Sequence, residues 1–70
     1  MISVVLNVEG MSCQHCVKSV HDALIALYGV SEVAVNLDLG TVTVHYDDNE
    51  VTIDTIRGTI EEEGYHVLSQ

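Results

Sequence analysis

The spacing of apolar residues switches repeatedly between an alternating and a helical period, and this constrains the fold more than any other feature of the chain. Ile2, Val4, Leu6 and Val8 alternate with Ser3, Val5 and Asn7, the signature of a half-buried strand over residues 2–8. Glu9-Gly10 breaks that run. From Gln14 to about Tyr28 the period becomes helical, with Val17, Val20, Leu24 and Leu27 on one face and Ala23 beside them. Ser12 suits the N-cap of this helix and Gly29 its stop. Residues 31–38 alternate again through Val33, Val35 and Leu37, and Asp38-Leu39-Gly40-Thr41 carries hairpin turn chemistry. Val42, Val44 and Tyr46 then face one way, with Thr41, Thr43 and His45 facing the other. After an Asp47-Asp48-Asn49 loop, Thr52 suits the cap of a second helix whose core face is Ile53, Ile56 and Ile60. Gly64 ends that helix, and residues 65–69 make a last short strand.

The order is βαββαβ. Crossover handedness and the central hairpin turn this order into one arrangement. It is an α+β, ferredoxin-like sandwich: a four-stranded antiparallel sheet with both helices on one face. The 70 residues, 47% of them apolar, suffice for one small core, so residues 1–70 read as a single domain. No signal peptide is visible, and the longest apolar stretch is too short for a membrane span. The opening at Met1 and the close soon after the last strand favour a free protein over an excised domain.

Charge narrows the partners. Eleven acids stand against Lys18 and Arg57, giving a net charge of −9. Nothing here neutralises phosphates, so a nucleic-acid partner is excluded, as is an anionic membrane surface. The acids suit solubility as a monomer first, and steering toward a basic partner second.

Cys13 and Cys16 are the only cysteines. Two cysteines cannot build a multi-bridge secreted scaffold, and a reducing, cytoplasmic setting is the simplest reading. The βαββαβ order places Cys13 in the first βα loop and Cys16 in the first helical turn, where unpaired N–H groups and the helix dipole favour thiolate. Lys18, close in sequence, is a candidate source of further positive charge. Two thiolates in an open loop suit a soft two-coordinate ion such as Cu(I), whereas Zn²⁺ prefers four ligands. His15 lies between the thiols, and His21, His45 and His66 fall on other elements, so zinc is short of ligands. Spacing alone favours metal binding but leaves open a dithiol redox pair, since thioredoxin-like folds also put Cys-x-x-Cys at a helix start. Those domains are longer, and the Trp and Pro that usually accompany their motif are missing. A purely structural pair also stays open.

The run Gly10-Met11-Ser12-Cys13-Gln14-His15-Cys16 resembles the Gly-Met-x-Cys-x-x-Cys loop of heavy-metal-associated domains. Gly29-Val30, Val35-Asn36-Leu37, Val44-His45-Tyr46-Asp47 and Ile60-Glu61-Glu62-Glu63-Gly64-Tyr65-His66-Val67 also resemble that family's spacing, so the similarity spans essentially the whole chain. Within the family it is most similar to the small bacterial copper chaperones. The resemblance implies Cu(I) held by Cys13 and Cys16. It implies Met11 packed under the loop, Tyr65 beside the loop with its hydroxyl toward the thiolates, and His15 modulating thiolate acidity without being an obligatory ligand. It implies transfer to the metal-binding domain of a P-type copper ATPase, and in some members to a copper-responsive repressor. Transfer would proceed by ligand exchange through a three-coordinate, shared-copper intermediate, without enzymatic turnover. Some family members dimerise around copper. An excised ATPase domain and a carrier of another soft ion such as mercury are the alternatives.

Other side chains carry weaker signals. His21, Ile25 and Tyr28 share a flank of the first helix beside its core stripe. Contact with the second helix is the favoured reading of that flank, and a partner patch is the other. His66 reads as solvated, on the opposite face from Tyr65. Glu61-Glu62-Glu63 sit unfavourably at the negative end of the second helix, which reads as a solvated helix end.

Overall fold

The structure is a computed structural model that describes residues 2–69. The chain forms β1 (Ile2–Glu9), α1 (Gln14–Ile25), β2 (Val30–Asn36), β3 (Thr41–Tyr46), α2 (Ile53–Glu62) and β4 (His66–Ser69). The strands lie in the order β2-β3-β1-β4, every neighbouring pair antiparallel. This is the four-stranded βαββαβ sandwich that the alternating and helical periods imply.

Register explains the core. Val44 stands opposite both Val4 and Val33, and Val42 opposite both Leu6 and Val35. These rows share one face of the sheet, because a strand sends alternate side chains to opposite sides. Val20 and Leu24 of α1 and Ile56 and Ile60 of α2 join Leu6, Val8, Val33, Val42, Val44, Tyr46 and Val51 in one buried cluster. Burying each such side chain contributes roughly 1.5–3 kcal/mol relative to leaving it exposed. On the other face, Val5 and Ala34 are exposed, and Thr41, Thr43 and His45 are half-buried. Among the described residues, no helix is long and apolar enough to cross a membrane.

Several boundaries differ from the sequence reading, each for a local reason. α1 begins from Cys13, not Ser12: the Cys13 carbonyl accepts from the N–H groups of Cys16 and Val17 at 3.1 and 3.2 Å. It ends at Ile25, short of Tyr28. Beyond Ala26 the chain turns through Leu27 N–H to Leu24 O (3.0 Å) and Val30 N–H to Leu27 O (3.2 Å), and Gly29 stands at φ 97°. β2 stops at Asn36 because its Oδ1 accepts from the Leu39 N–H at 3.1 Å, drawing Leu37 and Asp38 into the turn. Tyr65 precedes β4 instead of opening it. The His21, Ile25 and Tyr28 flank is not covered by α2. Ile25 is 39% and Tyr28 80% exposed, and the His21 ring pairs with Asp22 at 3.3 Å. The Thr52 cap forms as anticipated, its hydroxyl accepting from the Thr55 N–H.

Three connections meet at one end of the sandwich: the β1–α1 loop, the β2–β3 turn and the α2–β4 link. Asn7 pairs with Thr41, Val8 N–H donates to Gly40 O at 2.8 Å, and Glu9 pairs with His66. The cysteine loop and Tyr65 therefore leave the sheet side by side.

Candidate metal centre

Gly10 turns the chain out of β1 at φ 105°. A Cβ there would lie 3.4 Å from Cδ1 of Tyr65, so the tyrosine ring lies in contact range of the loop, and the positive φ is what favours glycine at this turn. Tyr65 and Met11 are both half-buried and pack against the core cluster. The loop is thus held from below by a thioether side chain and from one side by an aromatic ring. The sequence reading has Gly10 as a strand breaker and as the first residue of the loop run, but not as a neighbour of Tyr65; a glycine just before the loop paired with a tyrosine after Gly64 was the available signal.

Cys13 is exposed, with extended backbone (φ −157°, ψ 171°) and no side-chain capping bond to α1. Cys16 is half-buried in the first turn. Both thiols are free, and their Sγ atoms lie 3.7 Å apart. A metal–thiolate bond is about 2.3 Å. A two-coordinate ion at full linearity therefore needs the sulfurs opened by about 0.9 Å, which a surface loop with one uncapped cysteine accommodates.

The two thiols sit in different electrostatic surroundings. The Cys16 thiol is lowered from 9.0 to about 6, first by a backbone hydrogen bond from Ser12, then by the Tyr65 hydroxyl and the Cys13 side chain. Partial burial opposes this, and the Cys13 backbone adds a smaller lowering. The same contact acts on its partner: Tyr65 is raised from 10.0 to about 12, chiefly because its proton is engaged with Cys16. Lys18 takes no part. Its Nζ is 2.8 Å from Oδ2 of Asp22, one helical turn on. Ser12 contributes through its backbone, a role that no side-chain pattern reveals.

The other candidates are dispersed. His15 is exposed in the first turn of α1. Half-buried His45 lies near Glu32 at 3.9 Å, and exposed His66 near Glu61 at 4.0 Å. Among the described residues, no group of three or more His, Cys, Asp or Glu side chains is placed to hold an ion together. The loop therefore presents two sulfurs, open to solvent on the Cys13 side.

The model of the heavy-metal-associated domain matches residues 5–66. The chain belongs to this family. It is 48% identical over 67 residues to the copper chaperone CopZ of Staphylococcus haemolyticus, covering 96% of this chain and 98% of the relative. Its fold matches a solved CopZ metallochaperone with a TM-score of 0.94 at 45% identity, covering 96% of this chain and all of the other. It also matches a copper binding domain from HMA7, a P-type ATPase, with a TM-score of 0.96 at 31% identity, over 100% of this chain and 95% of that domain.

Proposed function

We propose that this heavy-metal-associated domain, taken as one unit over residues 1–70, is a copper chaperone. It carries Cu(I) between the sulfurs of Cys13 and Cys16 and passes it to the metal-binding domain of a P-type copper ATPase. The observation that carries this reading is a pair of free thiols 3.7 Å apart, Cys13 exposed and Cys16 half-buried, with no third His, Cys, Asp or Glu ligand converging among the described residues. Soft thiolates select Cu(I), and two ligands suffice for it. The match to copper chaperones named CopZ over nearly the whole chain supports the same reading.

Transfer follows from under-coordination. An incoming thiolate approaches on the exposed Cys13 side and forms a three-coordinate intermediate, and one original sulfur then leaves. Charge left at Cys16 is favoured by the Ser12 backbone and the Tyr65 hydroxyl, the two largest causes of its lowered thiol. The ion is cargo, and no bond of a substrate is broken, so the protein acts as a carrier and not as an enzyme. The cytoplasm, where thiols stay reduced, is the setting this chemistry requires.

The test is an anaerobic Cu(I) titration against a competing chelator. The wild-type chain retains one Cu(I), while Cys13→Ser and Cys16→Ser both lose tight binding and keep the fold. Retention of Cu(I) by either single variant refutes the two-thiolate site. The fold match to an ATPase copper binding domain favours a second reading, in which this chain is the acceptor. Mixing the copper-loaded chain with an isolated ATPase domain and following copper by mass measures the direction of transfer.

A further inference from the structure

The dithiol has a second reaction within reach, resting on the reading of Cys13 and Cys16 as the copper site. A disulfide bond is about 2.05 Å, so closing the pair from its present separation requires about 1.7 Å of approach. Cys13 stands outside the helix with its side chain not engaged in a cap, which leaves it free to make that movement. Cu(II) differs from Cu(I) in preferring a planar set of nitrogen and oxygen ligands. No cluster of three or more His, Cys, Asp or Glu among the described residues offers such a set. The loop thus gives Cu(II) no lasting coordination while placing two electron-rich sulfurs, one of them exposed, in its path.

We propose that the reduced protein is a stoichiometric reductant of Cu(II), converting cupric ion into the Cu(I) that it carries. The Cys13 and Cys16 sulfurs each give one electron to one Cu(II). A bond forms between the two Sγ atoms, two Cu(I) ions result, and any thiol proton leaves to solvent. The two Cu(I) ions are then bound by the intact dithiols of two further chains, whose sulfurs are thereby occupied. Three reduced chains and two Cu(II) give two Cu(I)-loaded chains and one intrachain disulfide. Copper offered as Cu(II) accordingly loads two of every three chains, whereas copper offered as Cu(I) loads all of them.

The experiment is an anaerobic titration of the fully reduced protein with copper(II) sulfate, followed by Cu(II) paramagnetic resonance. Samples are then unfolded with a Cu(I) chelator, alkylated and weighed intact. The expected result is no Cu(II) signal until two ions have been added per three chains, with one third of the chains then unalkylated as monomeric disulfide. Cys13→Ser removes the intrachain bond and restores a Cu(II) signal from the first addition. A Cu(II) signal that grows at once with the wild-type chain, or disulfides that link two chains, overturns the proposal. A parallel titration with Cu(I) separates the two readings. One Cu(I) per chain with unreduced Cu(II) refutes this inference alone, while failure to bind Cu(I) refutes the copper site beneath it.

Discussion

The Tyr65 hydroxyl lowers the Cys16 thiol, and the ring that carries it lies against Gly10 at the other end of the same loop. One side chain from the α2–β4 link therefore both shapes the loop and stabilises charge on one of its two sulfurs. Tyr65→Phe separates these roles, because the ring stays and the hydroxyl goes. The Cys16 thiol then rises from about 6 but stays below 9.0, since the backbone hydrogen bond from Ser12, the largest cause of the lowering, persists. The rate of alkylation against pH, measured in a Cys13→Ser background so that only Cys16 reports, shows a higher midpoint for Tyr65→Phe. Equal midpoints with and without the hydroxyl would remove Tyr65 from the electrostatics of the site.

Linkage gives the apo protein a pH dependence of definite sign. Between about 6 and 9.0 the folded chain holds Cys16 as thiolate while the unfolded chain holds it as thiol. The unfolded state binds the extra proton there, so this group makes stability rise with pH across that window. Its contribution is fully present above 9.0 and is lost as pH falls through about 6. Tyr65 acts in the opposite sense at higher pH. Its raised value contributes stability below 10.0 that is lost as pH rises through about 12. Thermal melts of the metal-free, reduced chain from pH 6 to 9 should show a steeper rise for wild type than for Cys16→Ser. Parallel curves would mean that the folded chain does not hold the thiolate preferentially.

The two helix starts make contrasting predictions from similar-looking sequence. Thr52 accepts the Thr55 N–H through its hydroxyl at 3.3 Å, so Thr52→Ala costs about 1 kcal/mol. Ser12 stands one residue before the observed N-cap of α1, and the cap itself makes no side-chain bond. Ser12→Ala should therefore change stability by less than about 0.5 kcal/mol. It should also leave the Cys16 thiol lowered, because the backbone of Ser12 is retained. Urea unfolding of both variants, with thiol reactivity for Ser12→Ala, tests the pair. A loss at Ser12 equal to that at Thr52 would restore Ser12 as a cap.

What the sequence conveys and what it hides divide along physical lines. Strict alternation in Val42, Val44 and Tyr46, and the helical spacing of Ile56 and Ile60, report burial directly, and all five are buried. The same rule overextends α1, because Leu27 continues the apolar stripe and packs against the core from a turn. Burial periodicity does not register where helical hydrogen bonding gives way to turn bonding. At the site, residue types point to Cys13 and Cys16, the family resemblance adds Tyr65, and the fold brings these three together. The backbone donor at Ser12 and the diversion of Lys18 to Asp22 depend on local geometry, which no pattern of side-chain types encodes. The exposure of Tyr28 likewise depends on how the two helices lie across the sheet.

Two glycines separate conformational need from mere tolerance. Gly29 has φ 97°, and a Cβ there would come within 2.6 Å of the Cβ of Glu50. Gly29→Ala meets both backbone strain and a clash with the start of the segment leading to α2, and costs about 2 kcal/mol or more. Gly58 lies inside α2 with ordinary backbone geometry, and a Cβ there would meet nothing within 4 Å. In the folded chain it leaves backbone freedom unfilled, and in the unfolded chain it adds entropy that folding must overcome. Gly58→Ala should therefore stabilise the protein by about 0.5–1 kcal/mol. For a domain of this size that raises the thermal midpoint by roughly 4 °C. Urea unfolding should show the gain as a higher midpoint at unchanged slope. A midpoint that falls would mean that α2 packs more closely around Gly58 than its open surroundings indicate.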